Sequence, residues 1–158
     1  MDERARAIEA LYRERYVGFR NALATVTGSY DSAHDVVQEA FATALRERST
    51  LRREESLAAW VWRIAIRVAA KERAARVAAS NGSLATDLVE PERDSALAEA
   101  IRLLPPRRRL VVFLRYFADL SYAEIAEACE ISEGTVGATL AQARAALEQA
   151  LVEGGDRT

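Results

Sequence analysis

Seven glycines and three prolines are all that interrupt 158 residues. With so few breakers, the chain is expected to form long helices. Between the breaks, apolar residues recur three and four positions apart, the period of one helical face. No run alternates with period two and no hairpin turn signal occurs, so nothing reads as a β-strand. The expected fold class is all-α.

Taken in order, residues 3–27 put Ile8, Leu11, Tyr12, Val17, Phe19, Leu23 and Val26 on an apolar face. Gly28 and Asp31 end this helix and start the next. Residues 32–48 carry Val36, Val37, Ala40, Phe41, Ala44 and Leu45 on one stripe, with Asp35, Gln38 and Glu39 on the polar side. Residues 49–55 are a polar connection. Residues 56–79 form a long alanine-rich helix with Leu57, Trp60, Val61, Ile64, Ala65 and Val68 inward and Arg63, Arg67, Lys71 and Arg73 mostly outward. Trp60 and Trp62 are two apart, which is not the spacing of one helical face. Trp60 shares the stripe of Ile64 and is assigned to the core. Trp62 is left either as an exposed platform or as a partly buried cover for a helix seam.

The pattern breaks at residues 80–92, SNGSLATDLVEPE, which have the composition of a linker. Charge divides the chain at the same place. Residues 1–80 carry a net +3, residues 81–99 a net −4 and residues 100–158 a net −1. Two small helical domains are therefore expected, 1–79 and 94–153, joined by a flexible linker at 80–93 and followed by a frayed tail at 154–158. The second domain opens with a short helix at about 93–103, stopped by Leu104–Pro105–Pro106. Residues 106–117 then turn Leu110, Val111, Leu114 and Phe117 inward, with Arg107, Arg108, Arg109 and Arg115 on or near the exposed side.

The stretch from Ser121 to Arg144 contains two short helical patterns joined by a break. Ile125 and Cys129 lie four apart in the first; Val136 and Leu140 repeat the spacing in the second, and Ala143 and Leu147 continue the stripe. Ser121 with Glu124, and Ser132 beside Glu133, are N-cap signals. Small Ala126 lets a second helix cross closely, as a helix-turn-helix requires. The same spacing also suits an ordinary helical hairpin.

Several function classes are disfavoured. There is no nucleophile–histidine pair, phosphate-cradling glycine loop or paired-carboxylate signature, so no enzyme is expected. His34 is the sole histidine, without a cysteine or histidine partner, so no metal or other cofactor is expected. Cys129 stands alone and suits a reducing compartment and a core position. No apolar run is long enough to cross a bilayer and no signal peptide is evident, so no membrane insertion and a cytoplasmic location are expected.

At this point the residues carry a family resemblance. LPPRRRLVVFLRYFADLSYAEIAEACEISEGTV, residues 104–136, resembles the second domain of extracytoplasmic-function sigma factors of the sigma-70 family. DSAHDVVQEAFATAL, residues 31–45, is similar to the polymerase-binding segment of their first domain. AAWVWRIAIRVA, residues 58–69, is similar to the helix that meets the promoter −10 element. The resemblance implies a factor that brings core RNA polymerase to promoter DNA and assists opening, with an anti-sigma factor as a further partner.

Residue by residue, it implies that Asp35, Gln38 and Glu39 dock polymerase, an acidic and amide patch suited to an arginine-rich surface. Ser49 to Glu55 matches a loop that captures a flipped base; Ser49, Thr50, Arg52 and Arg53 are its candidate contacts. Trp62, Arg63, Arg67 and Lys71 are candidates for the −10 strand, the three cations forming a ridge at four-residue spacing. Arg107, Arg108 and Arg109 suit phosphate contacts near the −35 element. Ser132, Glu133, Thr135, Thr139, Gln142 and Arg144 lie on or at the start of the recognition helix, where Thr135, Thr139 and Gln142 are the candidate base readers.

The chain departs from the family pattern in four ways. Basic residues usual after GTV are replaced by Gly137, Ala138, Thr139, Ala141 and Gln142. Gly137 weakens its helix. The turn position usually held by glycine is Glu130, and Arg67 and Lys71 stand where polar or acidic side chains are more usual. Two other classes also fit the residues: a one-component DNA-binding regulator, and a helical adaptor that binds polymerase without initiating.

Overall fold

The computed structural model describes residues 2–79 and 96–155. Among these residues there are seven α-helices, one 3₁₀ turn and no strand: α1 (Glu3–Thr27), α2 (Tyr30–Arg46), the turn (Arg48–Thr50), α3 (Leu57–Ala79), α4 (Ala96–Arg102), α5 (Pro106–Tyr116), α6 (Tyr122–Cys129) and α7 (Glu133–Gly155). The expected linker lies outside the described residues, as do 156–158 of the expected frayed tail. Gly154 and Gly155 continue α7.

Local chemistry sets the ends of the first helices. The Asp2 side chain accepts from the Ala5 N–H at 2.8 Å and caps α1. Gly28 ends that helix at φ 86°, a left-handed conformation that glycine adopts without steric cost. The cap of α2 is Ser29 rather than Asp31: its hydroxyl accepts from the Ser32 N–H at 3.1 Å. Arg73 and Arg76 reach back from α3 to the carbonyls of Val26 and Thr27, so Arg73 is half-buried instead of outward.

Ala59, Trp60, Val61 and Trp62 are all buried. Four successive helical positions sweep roughly 300° around the axis, so this turn of α3 is enclosed on nearly every side. Helices α1 and α2 cover part of it and α6 packs against it as well. The Trp62 ring stacks on Phe19 at 3.9 Å with 9° between planes, and Phe19 meets Phe41 edge-on. Both tryptophans are therefore core residues. A two-residue spacing excludes this only when a helix has a single buried face.

The same double coverage alters α5. Val112 is buried on a helix that α1 approaches in addition to the neighbouring C-terminal helices. Phe117 caps the end of α5, 59% exposed, and packs on Phe113 at 4.9 Å. Val17 is also exposed, two positions from Phe19 and so on the far side of α1. Leu45 sits at the open edge of the α2 stripe, 38% exposed.

The C-terminal helices bury Leu104, Leu110, Leu114, Leu120, Ile125, Val136 and Leu140. Their core is continuous with that of α1–α3, since buried residues from both halves form one cluster. The contacts that join the halves are α1 on α5 and α3 on α6. Trp62→Ala should destabilise the fold by about 3–5 kcal/mol, because a large enclosed ring and its stacking partner are lost together. Urea unfolding followed by far-UV circular dichroism measures this; a loss below about 1 kcal/mol would contradict the enclosed geometry.

Candidate nucleic-acid interface

Three surfaces hold the residues singled out from the sequence. On α2, Asp35, Gln38 and Glu39 are all exposed. Glu39 accepts from Arg46 at 3.1 Å and from the Thr43 hydroxyl, while Gln38 Nε2 donates to the Tyr12 hydroxyl. That last bond is one rung of a ladder between α1 and α2. The Tyr16 hydroxyl meets His34 Nδ1, and Arg20 lies 4.8 Å over the Tyr30 ring. The ladder was readable as matched four-residue spacings, Tyr12–Tyr16–Arg20 against Tyr30–His34–Gln38, once the helices were known to pair antiparallel.

The second surface follows the 3₁₀ turn. Ser49, Thr50, Arg52 and Arg53 are exposed, and Thr50 donates its hydroxyl to the Glu47 carbonyl at 2.8 Å. Glu55 is half-buried, 4.0 Å from Arg63. Along α3, Lys71 is exposed, Arg63 is half-buried and Arg67 is ion-paired to Glu130. Trp62 is 2% exposed and offers no platform to a ligand. Of the expected −10 residues, the structure therefore leaves Arg52, Arg53, Arg67, Lys71 and the loop hydroxyls at the surface, half-buries Arg63 and withdraws the tryptophan.

The third surface is the helix-turn-helix. Ser121 and Glu124 form a full capping box: the Ser121 hydroxyl accepts from the Glu124 N–H and Glu124 Oε1 accepts from the Ser121 N–H at 3.0 Å. The other Glu124 oxygen accepts from the Ser56 hydroxyl, which in turn accepts from the Ala59 N–H at the start of α3. Burial raises the Glu124 pKa, but these hydrogen bonds outweigh it and hold the carboxyl below its ordinary value. Cys129 is partly buried, and burial pushes its thiol up to about 11, so it is an unreactive packing residue.

The turn between α6 and α7 is made by Glu130 at φ 57° and ψ 44°. A non-glycine side chain there costs about 1–2 kcal/mol. Asp119, before the capping box, adopts φ 58°, a second left-handed position that carried no glycine to announce it. Arg67 and Glu130, both departures from the family pattern, are partners in one ion pair. That bond, with the charge of Arg67, holds the Glu130 carboxyl below its ordinary pKa.

Just before α7, Ser132 accepts from the Thr135 N–H at 3.1 Å and its hydroxyl meets that of Thr135 at 2.9 Å. Glu133, Thr135 and Gln142 are exposed and Thr139 is half-buried. At about 100° per residue, Thr135, Thr139 and Gln142 share one side of the helix, whereas Arg144 falls on the opposite edge. There its Nε and Nη2 donate to the Tyr116 hydroxyl at 2.9 and 2.6 Å. Gly134, Ala138, Ala141 and Ala145 are exposed as well, a smooth face beside these three polar side chains. Arg107 is exposed and Arg108 half-buried. Arg109 does not sit on the exposed side: its Nη1 donates to the Arg102 carbonyl at 3.4 Å, its Nε is buried without a partner among the described residues, and burial pushes its pKa down. It joins α4 to α5.

Comparison with known proteins assigns both halves of the chain to one family. Residues 11–78 match the family described as Sigma-70 region 2, and residues 94–147 match Sigma-70, region 4. The chain is 33% identical over 119 residues to RNA polymerase sigma factor SigV of Bacillus subtilis, covering 72% of each protein. It is 29% identical over 157 residues to RNA polymerase sigma factor YlaC of the same organism, covering 90% of this chain and 91% of that one. In fold it resembles the sigma factor RpoE in complex with the anti-sigma factor NepR from Bartonella quintana, with a TM-score of 0.70 at 20% identity, covering 90% of this chain and 97% of that one.

The chain belongs to the sigma-70 family of RNA polymerase sigma factors, within its extracytoplasmic-function group. It is a non-catalytic initiation factor whose partners are core RNA polymerase and promoter DNA, directing the polymerase to promoters and assisting their opening. Among the described residues no helix is long and apolar enough to cross a membrane. Gly137 has room for a side chain, since an added Cβ would meet Tyr122 Cε2 at an ordinary 3.8 Å. Gly137→Ala should therefore raise stability by up to about 1 kcal/mol, read as a higher urea midpoint at constant slope.

Proposed function

We propose that the three surfaces divide initiation between them, α2 docking polymerase, the 49–55 loop with α3 engaging the −10 strand, and α7 reading the −35 element. The exposed acceptor row on α2 is the observation that carries the docking assignment. Asp35 makes no hydrogen bond or ion pair among the described residues, so its charge is available to a cationic partner surface. Ser49, Thr50, Arg52 and Arg53 receive the extruded base and its phosphates, and Arg63, Arg67 and Lys71 follow the strand. Arg107 and Arg108 grip phosphates beside the upstream element, and Thr135, Thr139 and Gln142 read base edges. The helices on either side of residues 80–93 act as two domains that span the two promoter elements. The protein works in the cytoplasm, and an anti-sigma factor covers the same surfaces when the factor is idle.

Run-off transcription with core polymerase is the direct test: transcripts should depend on this chain. Asp35→Lys with Glu39→Lys should weaken core binding at least tenfold in a pull-down while circular dichroism stays unchanged, because two acceptors become like charges facing the partner. Undiminished binding would refute the α2 assignment.

The DNA contacts should separate by salt dependence. Residues 49–80 carry a net +4 and residues 132–147 a net zero, so counterion release belongs to the first half. Removing Arg63 or Lys71 should lower the slope of log affinity against log salt for holoenzyme–promoter binding by about 1 each. Gln142→Ala should alter preference among −35 sequences and leave that slope in place. Equal slopes in all three variants would overturn the division.

A further inference from the structure

Helix α6 is tied to α3 at both of its ends. At its start, Glu124 accepts from Ser56, the residue that opens α3; at its end, Glu130 holds Arg67 in the middle of the basic ridge. Between these points Ile125 and Ala126 are buried in the cluster that also holds Trp60, Ile64 and Ala65. The helix that should support −35 reading therefore lies against the helix that should engage the −10 strand.

We infer that Glu130 is an intramolecular competitor of the promoter strand, its carboxylate occupying the place on Arg67 that a −10 phosphate takes when the two halves separate. This rests on the assignment of Arg67 to the strand made above. Three observations carry it. A carboxylate and a phosphodiester both offer anionic oxygens to a guanidinium, so one arginine cannot serve both fully at once. Glu130 occupies a left-handed backbone position where its side chain adds strain and glycine would relieve it; the side chain kept there is the one that reaches across to Arg67. The pair is also open to solvent on both sides, with side-chain exposures of 62% and 56%. An exposed pair is weak and screened by salt, so a strand that neutralises several cations together displaces it. The closed form thereby lowers the affinity of the free factor for DNA, and docking on polymerase, which sets the halves on two separate elements, removes the competitor.

The test uses the full chain and a fluorescent, mixed-sequence single-stranded oligonucleotide, with four proteins: the parent, Glu130→Gly, Arg67→Gln and the double variant. Glu130→Gly removes the carboxylate and relaxes the turn, so folding is retained, and circular dichroism verifies it. At low salt Glu130→Gly should bind the strand about two- to fivefold more tightly than the parent, the range that an exposed pair supports. Arg67→Gln should bind less tightly than the parent. In the Arg67→Gln background, Glu130→Gly should add no gain, and this non-additivity is the signature of direct competition. An equal gain in both backgrounds would show that Glu130 merely repels DNA at a distance, and no gain in either would show that the pair masks nothing; each overturns the inference and leaves the assignment of Arg67 standing. Unchanged binding by Arg67→Gln alone would overturn the assignment itself, and the inference with it.

Discussion

The rest of the structure depends on the enclosure of the first turns of α3. Trp62 is fixed by the Phe19 ring, Phe19 by Phe41, and the neighbouring Ala59, Trp60 and Val61 are buried around the same turn. A stacked aromatic pair at 3.9 Å leaves little rotational freedom, so α1, α2 and α3 have one relative orientation. The outer surfaces inherit that orientation. The acceptor row of α2 and the basic ridge of α3 keep their places because the faces behind them are immobilised by packing.

The junction of the two halves is built differently. Its centre is apolar, but its margins are cap and turn groups: Ser56 and Glu124 on one side, Arg67 and Glu130 on the other. The Ser56 hydroxyl serves two helices at once, accepting from Ala59 at the start of α3 and donating to the capping carboxylate of α6. Groups that already complete helix ends are thus reused as contacts between helices. Bonds of this kind are individually modest, and they are the ones given up in the proposed separation of the halves on two DNA elements.

The helix proposed to read the −35 element carries few long side chains. Thr135, Thr139 and Gln142 lie beside an exposed face of Gly134, Ala138, Ala141 and Ala145, a surface free of long side chains. Its one cation, Arg144, is turned to the far edge and held by Tyr116. In the division proposed above, the phosphate grip falls to Arg107 and Arg108, and tethering through polymerase adds effective concentration where this helix adds no charge.

Much of this was legible from residues alone. The helix period, the Ser121–Glu124 capping box, the Gly28 stop and the Pro105–Pro106 break are local events, decided by backbone sterics and by hydrogen bonds within a few residues. The surface row of Asp35, Gln38 and Glu39 was legible for the same reason, since one buried stripe leaves the other side of a helix to water. Local pattern could not tell how many neighbours a helix has. Trp62 and Val112 are buried, and Arg73 and Arg109 are drawn in, because α3, α5 and the helix ends meet partners distant in sequence. Nor could it pair Arg67 with Glu130, 63 positions apart. Sequence by itself determined the helices, their caps and their wet faces; only the tertiary structure decided which of those faces stay wet, because burial depends on contacts that no periodicity along one helix contains.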